Sequence, residues 1–333
     1  MREHDSTRAM SANPWRIIVG DCIESMRTLP AESVHTCVTS PPYFGLRDYG
    51  AAGQIGLEAT PNEYVTKLVE VFREVRRVLR DDGTVWLNLG DSYTPVNRGE
   101  KAKPRKEYDG EYLQNASMHS DLPTKKSTIQ QIAAAGFKQK DLLGIPWMVA
   151  FALRADGWCL RQDIIWHKPN PMPESVTDRC TKSHEYIFLL AKSRRYYFDH
   201  EAIKEPVATS TKSRLAQPNL ATQAGSARVP GKTNGNMKAV GNSKTRNRRD
   251  VWTVTTKPFK GAHFATFPPD LIEPCILAGA PLGGTVLDPF GGSGTTALVA
   301  AKHGRYSVLC ELNPEYVAMT EARLADAEIH PCL

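Results

Sequence analysis

An α/β fold with a doubly wound, mostly parallel sheet is what this 333-residue sequence predicts, and three observations lead there. Short apolar runs alternate with amphipathic stretches of helical period at both ends of the chain, and that alternation builds strand-helix-strand units whose strands pair in parallel. A glycine-rich turn, Gly291-Gly292-Ser293-Gly294, stands between a strand-like run and a helix-like one, as ligand-binding turns of such sheets do. The apolar content of 41% can bury a full core, and the length fits one large domain carrying insertions.

The elements follow in order. Residues 15–23 and 34–39 are short apolar runs, and the second ends in Pro41-Pro42, which cannot continue a sheet ladder. Tyr43 is therefore expected just beyond the C-terminal end of a strand. Thr60-Pro61-Asn62-Glu63 has capping-box spacing with proline at the first helical position, and Tyr64, Leu68, Val71, Val75, Val78 and Leu79 recur at helical intervals, with Gly83 as the stop. A strand follows at 84–89, then a helix at 142–155 and a strand at 158–166. Residues 185–190 and 195–198, split by a basic turn, read as an antiparallel hairpin. The chain closes with a helix (269–278), a strand (285–288), the glycine turn, a helix (295–302), a strand (306–311) and a last helix opened by Asn313-Pro314.

Two stretches break the rhythm. Residues 92–140 are polar and basic with little periodicity, and 207–249 are rich in Ser, Thr, Asn, Gly and Gln, with nine lysines and arginines and no acid. Such compositions do not build a core. The expected organisation is a flexible N-terminus (1–13), one half of an α/β domain made of 14–91 and 141–200, a polar basic insertion (92–140), a second polar basic segment (201–250) and the half of the same domain that carries the glycine turn (251–333). The net charge of +6 permits a polyanionic partner without demanding one. No apolar run is long enough to cross a bilayer, and 1–13 lacks the hydrophobic stretch of a secretion signal, so no membrane partner and a cytoplasmic location are expected. The seven cysteines are scattered, with no C-x-x-C pair, and read as reduced thiols, mostly core filler, with no metal site.

Gly292-x-Gly294-x-x-Ala297 matches a dinucleotide-binding turn, with Glu311 at the next strand's end placed for ribose hydroxyls. A phosphate-binding P-loop fails, because Thr295 and Thr296 stand where that motif needs Gly-Lys. Asp288 before the turn and Glu311 after it fit a ligand with a cationic amino group and a ribose but no phosphates, which describes S-adenosylmethionine. A nicotinamide-dependent oxidoreductase would explain the turn alone, and glycines that merely reverse the chain would explain it as well.

Thr39-Ser40-Pro41-Pro42-Tyr43 supplies what methylating an amino group on a base requires. The lone pair of such an amine is delocalised into the ring, and acceptors at the Ser40 hydroxyl and the Pro41 carbonyl can draw its hydrogens out of plane. Tyr43 offers a face on which a flipped base can stack. Lys244, Arg246, Arg248 and Arg249 are candidates for phosphate contacts on double-stranded DNA. A catalytically silent DNA-binding protein would account for the basic tracts but not for the acid-flanked turn. Of the single residues, His167 reads as a packing or DNA-contact group rather than a base, Trp252 as a DNA wedge or core, and Phe44 or Trp166 as fillers of the room that a small pyrimidine leaves.

These residues together resemble the amino-methylating DNA methyltransferases that modify cytosine N4 or adenine N6. The blocks are Gly20-Asp21-Cys22, Thr39 to Tyr43, Gly83 to Asp91, Trp166 to Pro171, His263 to Gly279, Leu287-Asp288-Pro289-Phe290 and Gly304 to Tyr316. Catalytic block before cofactor block is the permuted order of the family's beta group, which places target recognition at about 201–249. The resemblance implies that Asp21 meets the cofactor's adenine amine, that Phe290, Gly291, Gly292 and Gly294 line the methionine part, that Glu311 holds the ribose, and that Thr266 and Phe267 lie where the chain closes over the methionine carboxylate. It also implies a prokaryotic or phage-encoded protein, nucleoid-associated when bound to DNA, and leaves open a homodimer and a cognate restriction endonuclease as partners. Ser-Pro-Pro-Tyr is the form more typical of N4-cytosine enzymes, with N6-adenine as the alternative.

Overall fold

The computed structural model describes residues 13–94, 131–219, 222–223, 244–256 and 267–327. The chain divides into two units, one of 1–198 with 250–333 and the other of 199–249. The smaller unit holds a two-stranded antiparallel pair, β6 (Glu205–Pro206) with β7 (Thr245–Arg246). The larger unit contributes the strands β1 (Trp15–Val19), β2 (Val34–Thr39), β3 (Leu79–Leu89), β4 (Cys159–His167), β5 (His184–Ala191), β8 (Val251–Thr253), β9 (Thr285–Asp288) and β10 (Tyr306–Glu311). These eight form one sheet in the order β1-β10-β9-β2-β3-β5-β4-β8. Among them only β5 runs antiparallel to its neighbours.

Helices α1 (Cys22–Arg27), α2 (Pro61–Val78) and α3 (Ile145–Ala155) share a core with the sheet, formed by Met26, Leu68, Phe72, Leu153 and Phe188. Helix α4 (Thr209–Leu215) belongs to the smaller unit. Helix α5 (Pro269–Gly279) packs on β2 and β3 and against α6 (Thr295–Lys302), while α7 (Pro314–Asp326) packs on β1 and β10. Gly279 lets α5 approach, since a Cβ there would lie 2.5 Å from Thr36 Oγ1. α2 forms where its cap was expected: Thr60 Oγ1 accepts from Glu63 N at 3.2 Å. The Glu63 carboxylate reaches back one residue further than a standard box, to Ala59 N at 3.1 Å.

Two expectations are corrected. The α2 helix passes directly into β3 at Leu79, so Gly83 lies inside the strand instead of stopping the helix. A side chain at 83 would approach Arg80 O at 2.9 Å, which is why glycine sits there. The hairpin of 185–190 with 195–198 does not form. β5 pairs with β3 on one side and β4 on the other, and 195–198 forms no strand: Tyr197 N reaches Asp82 O, and Phe198 stacks on Trp86 with centroids 6.0 Å apart. Aromatic residues that read as a strand edge are instead a cover for the buried Trp86.

Of the cysteines, Cys22, Cys37, Cys275 and Cys310 are buried free thiols. Among the described residues no helix is long and apolar enough to cross a membrane.

Candidate active site

The permuted motifs meet because of strand order. β2 leads through α2 to β3 on one side, and β9 leads through α6 to β10 on the other. β2 and β9 are themselves paired, with Thr36 opposite Val286 and Cys37 opposite Leu287. Between them lies the topological switch point, where the two chain directions part and leave a crevice at the strands' C-terminal ends. Ser40 to Tyr43 leave β2 on one side of it, and the glycine turn leaves β9 on the other. Thr39 Oγ1 donates to Asp288 Oδ1 at 2.7 Å and Thr296 Oγ1 donates to Asp288 Oδ2 at 2.6 Å. One carboxyl group therefore ties the end of β2 to the start of α6. Asp288 is 1% exposed, and burial pushes its pKa up to about 6 despite these hydrogen bonds. Both oxygens are engaged, with Phe290 N also donating to Oδ1, so the side chain shapes the turn rather than lining it.

The turn is fastened on all sides. Glu311 Oε2 accepts from Gly292 N at 2.8 Å, and Oε1 accepts from Asn313 N at 2.9 Å. Thr320 of α7 donates to Gly292 O, while Arg323 Nη1 donates to Ser293 O and to the Ser293 and Thr295 hydroxyls. A Cβ on Gly291 would stand 2.9 Å from Leu309 Cβ, and one on Gly294 would stand 2.3 Å from Thr320 Cγ2. Gly292 and Gly294 hold φ of 51° and 74°, the left-handed region that favours glycine. Next along the same edge, Gly20 N donates to Glu311 O at 2.8 Å, and Asp21 Oδ1 caps α1 through Ile23 N and Glu24 N. Asp21, Glu311, Asp288 and Phe290 to Gly294 therefore occupy the ends of three adjoining strands, β1, β10 and β9. Burial raises the Glu311 carboxyl above its ordinary range, against the backbone hydrogen bonds from Asn313 and Gly292. Phe267 is half-buried and enters α5 through Pro268. Thr266 lies outside the described residues, as do 1–12 of the N-terminus, 95–130 of the basic insertion, and 220–221 and 224–243 of the recognition segment.

On the other side of the crevice, Tyr64 Oη donates to Pro42 O at 2.8 Å. That bond commits the second proline's carbonyl and leaves Pro41 O without a donor among the described residues. Tyr43 is held by its own hydroxyl, which donates to Glu185 Oε2 at 2.7 Å and lies 3.3 Å from Asn88 Oδ1. Asn88 Nδ2 donates to the same Glu185 oxygen and to Tyr186 O. Lys168 pairs with Glu185 Oε1, and its ammonium sits 4.3 Å from the Trp166 ring centroid. Burial and then the Glu185 charge push the Tyr43 phenol well above its ordinary value, against the hydrogen bond with Ser40. Burial alone would also raise Glu185, but Lys168 and the hydrogen bonds from Tyr43 and Asn88 hold that carboxyl below its ordinary range. The ring rests against Gly90, where a Cβ would come 2.4 Å from Tyr43 Cε2.

The remaining aromatic and histidine expectations divide, Phe44 and Trp166 differing from what was expected and Trp252 and His167 falling within it. Phe44 and Trp166 do not fill a base pocket: Phe44 is buried against Tyr64 at 5.7 Å, and Trp166 is buried with Nε1 donating to Val254 O. Trp252 is core, tilted against Trp86 at 6.5 Å. His167 Nδ1 lies 3.2 Å from Thr253 Oγ1 across the β4–β8 pair, a packing position. In the smaller unit Arg246 is paired with Glu205 at 2.8 Å, Lys244 and Arg249 are exposed, and Arg248 is half-buried. The tract 207–249 carries no acid of its own, and the partner of Arg246 comes from Glu205, two residues before it. Sequence reasoning also missed Asn88, Glu185 and Lys168 as site residues. The signal available was a polar residue inside an apolar strand, Asn88 in Val85–Leu89 and Glu185 in His184–Ala191, since such groups are buried only with partners.

The DNA methylase family model matches residues 34–322. The chain is 45% identical over 315 residues to the Type II methyltransferase M.Cfr9I of Citrobacter freundii, covering 95% of this chain and 89% of that protein. It is 45% identical over 309 residues to the Type II methyltransferase M.SmaI of Serratia marcescens, covering 93% and 90%. Among solved structures, the cytosine-N4-specific PvuII DNA methyltransferase superposes with a TM-score of 0.58 at 19% identity, over 94% of this chain and 90% of that one. The M1.HpyAVI–SAM complex does so with a TM-score of 0.50 at 15% identity, over 93% and 99%. These structural likenesses carry the fold, and the family model with the two bacterial relatives carries the identity: this chain belongs to the family of amino-methylating, site-specific DNA methyltransferases.

Proposed function

We propose that this protein transfers a methyl group from S-adenosylmethionine to the exocyclic N4 amine of cytosine in double-stranded DNA, after flipping the base from the stack. The observation that carries the reading is the Thr39–Asp288 hydrogen bond across the β2–β9 pair. It sets the Ser-Pro-Pro-Tyr segment and the glycine turn on the two walls of one crevice.

S-adenosylmethionine is the cofactor, and the turn fits it: buried acids with acceptor capacity, backbone brought close by glycines, and no lysine in the turn to hold phosphates. Asp21 and Glu311 would hold its adenine and ribose, Phe290 and Gly291 to Gly294 would lie along the methionine, and Thr266 and Phe267 would close over the carboxylate, with Asp288 fixing the turn. When bound, it supplies a methyl group on a positively charged sulfur that departs as a neutral thioether. The residues of β2's exit do the rest. The Pro41 carbonyl and the Ser40 hydroxyl accept hydrogen bonds from the base amine and draw its hydrogens out of the ring plane, which concentrates the nitrogen lone pair toward the methyl. Tyr43 presents its ring to the flipped base. The amine then sheds one proton to water. A small hydroxyl at Ser40, rather than an acid or amide, favours cytosine over adenine. Lys244, Arg246, Arg248 and Arg249 are assigned to DNA phosphates.

The test is transfer of radiolabelled methyl from S-adenosylmethionine to duplex DNA by the purified protein. Incorporation that disappears in Ser40→Ala/Tyr43→Ala supports the assignment, and calorimetric binding of NAD with none for S-adenosylmethionine would reject it.

A further inference from the structure

The molecule buries a charged cluster on the base side that the methyl transfer itself does not use. Glu185 of β5 and Asn88 of β3 converge on one phenol, 142 positions before Glu185 in the chain, and Lys168, the residue after β4, pairs with Glu185 from behind. The side chains of Lys168 and Glu185 are only 20% and 14% exposed. Burying such an ion pair contributes little stability of its own, because desolvation offsets the attraction. A mostly buried pair at the wall of a crevice, with three separate donors on one carboxylate, is better explained by what it holds. Its contact with the crevice is the Tyr43 hydroxyl. The opposite constraint comes from the backbone: Gly90 leaves room for the ring on one side, and Tyr64 pins the Pro42 carbonyl just before it.

We infer that Glu185, backed by Lys168 and Asn88, is a positioning residue for methyl transfer: it orients the Tyr43 ring that meets the target base. This inference rests on the proposed function and adds to it a group that never touches the base. Two roles for the contact can be separated on physical grounds. As a proton relay, Tyr43 would have to pass its hydroxyl proton to Glu185. Glu185, however, is held below the ordinary carboxylate range and Tyr43 well above the ordinary phenol range, so the proton stays on the phenol. An ionised acceptor bonded to a neutral donor is a strong, directional anchor. What it fixes is the ring's tilt, and misplacing a reacting surface by a fraction of an ångström lowers turnover without weakening cofactor binding.

The experiment compares parent, Tyr43→Phe, Glu185→Gln, Glu185→Ala and the double variant Tyr43→Phe/Glu185→Ala. Single-turnover methylation of duplex DNA is read alongside calorimetric binding of S-adenosylmethionine. The parent is measured first, since a parent without transfer would refute the proposed function and not this inference. With an active parent, Tyr43→Phe keeps the ring but loses its anchor, and its rate is expected to fall roughly tenfold, equivalent to about 1.4 kcal/mol on the barrier. Cofactor affinity should stay within about twofold, as expected when only transition-state positioning is lost. Glu185→Gln, which can still accept from the phenol, should recover part of the loss that Glu185→Ala suffers. The double variant should be no slower than Glu185→Ala alone, because the two changes remove one interaction. If Glu185→Ala no longer binds the cofactor because Lys168 is left unpaired, the rates of Tyr43→Phe and Glu185→Gln decide. A parent-like rate in Tyr43→Phe, a Glu185→Gln rate no better than Glu185→Ala, or losses that simply add would each overturn the inference.

Discussion

The two walls of the crevice are made in opposite ways. The wall proposed for the cofactor is mostly local: Asp288, Gly291, Gly292 and Gly294 fall within one turn, Asp21 and Glu311 join from the ends of two adjoining strands, and burial pushes Asp288 and Glu311 toward the neutral form. The wall proposed for the base is assembled from the ends of four strands that are far apart in the chain, and its acid, Glu185, is held below the ordinary carboxylate range by Lys168 and by hydrogen bonds. A preformed ligand cradle can thus be built from backbone geometry. A reactive surface with a fixed tilt instead needs side chains gathered from across the sheet and anchored by charge.

The strongest loss should come from disturbing the geometric wall. Gly294→Val would put a branched side chain where even a Cβ lies 2.3 Å from Thr320 Cγ2, at a φ of 74°. Overpacking of this kind costs about 1–3 kcal/mol before backbone strain is added. Cofactor binding by calorimetry should be lost while a circular dichroism melt still shows a cooperative transition. Binding retained at parental affinity would mean that the turn is not the cradle. Gly292→Val should do the same, though its φ of 51° makes strain part of the cause.

Next come changes to the base wall. Tyr43→Ala removes a stacking contribution of about 1–3 kcal/mol, roughly ten- to hundredfold in methyl transfer, with cofactor binding nearly unchanged. Gly90→Ala should act through the same ring without touching it chemically, since the new methyl would overlap Tyr43 Cε2. Its rate loss should be about tenfold, smaller than that of Tyr43→Ala because the ring can shift. A Gly90→Ala enzyme as fast as the parent would show that the ring's position is unimportant.

This difference between the walls also decides what could be read from sequence. The strand-helix alternation, the capped helix α2 and the acid-flanked glycine turn are contiguous signals, and all three reappear in the fold. The motif pair at opposite ends of the chain came together because β2 and β9 are neighbours. A polar residue in an apolar strand marked Asn88 and Glu185, but that they meet Tyr43 and Lys168 was not legible, because only the strand order makes these residues neighbours. Phe44 and Trp166 misled, and Trp252 stayed open between wedge and core, because an aromatic residue near a motif reads the same whether it faces the crevice or the core.

A smaller change is expected from the neutral-leaning acid. Asp288 has a folded pKa raised from 3.8 to about 6. For an acid raised on folding, the native state binds the proton more tightly, so its contribution to stability is complete below pH 3.8 and fades as pH rises through 6. Asp288→Asn, which keeps the shape and cannot ionise, should flatten the stability profile across that window, as measured by urea unfolding. An unchanged profile would place the titration elsewhere.

The weakest effect lies in the separate unit. If its cations meet DNA phosphates, Lys244→Gln should reduce the log–log salt slope of duplex binding by about 0.9. Arg246→Gln should change it less, because that charge is already shared with Glu205 at 2.8 Å. Equal slopes for Lys244→Gln and parent would move the DNA contact away from this residue.

Whether both walls act on one cytosine amine is decided by incubating duplex DNA with the protein and S-adenosylmethionine, digesting it to nucleosides and separating these by mass spectrometry. N4-methylcytosine is expected in the parent reaction, and its loss in Tyr43→Ala. N6-methyladenine without N4-methylcytosine would contradict the base assignment, and no methylated nucleoside at all would contradict the crevice as the place of methyl transfer.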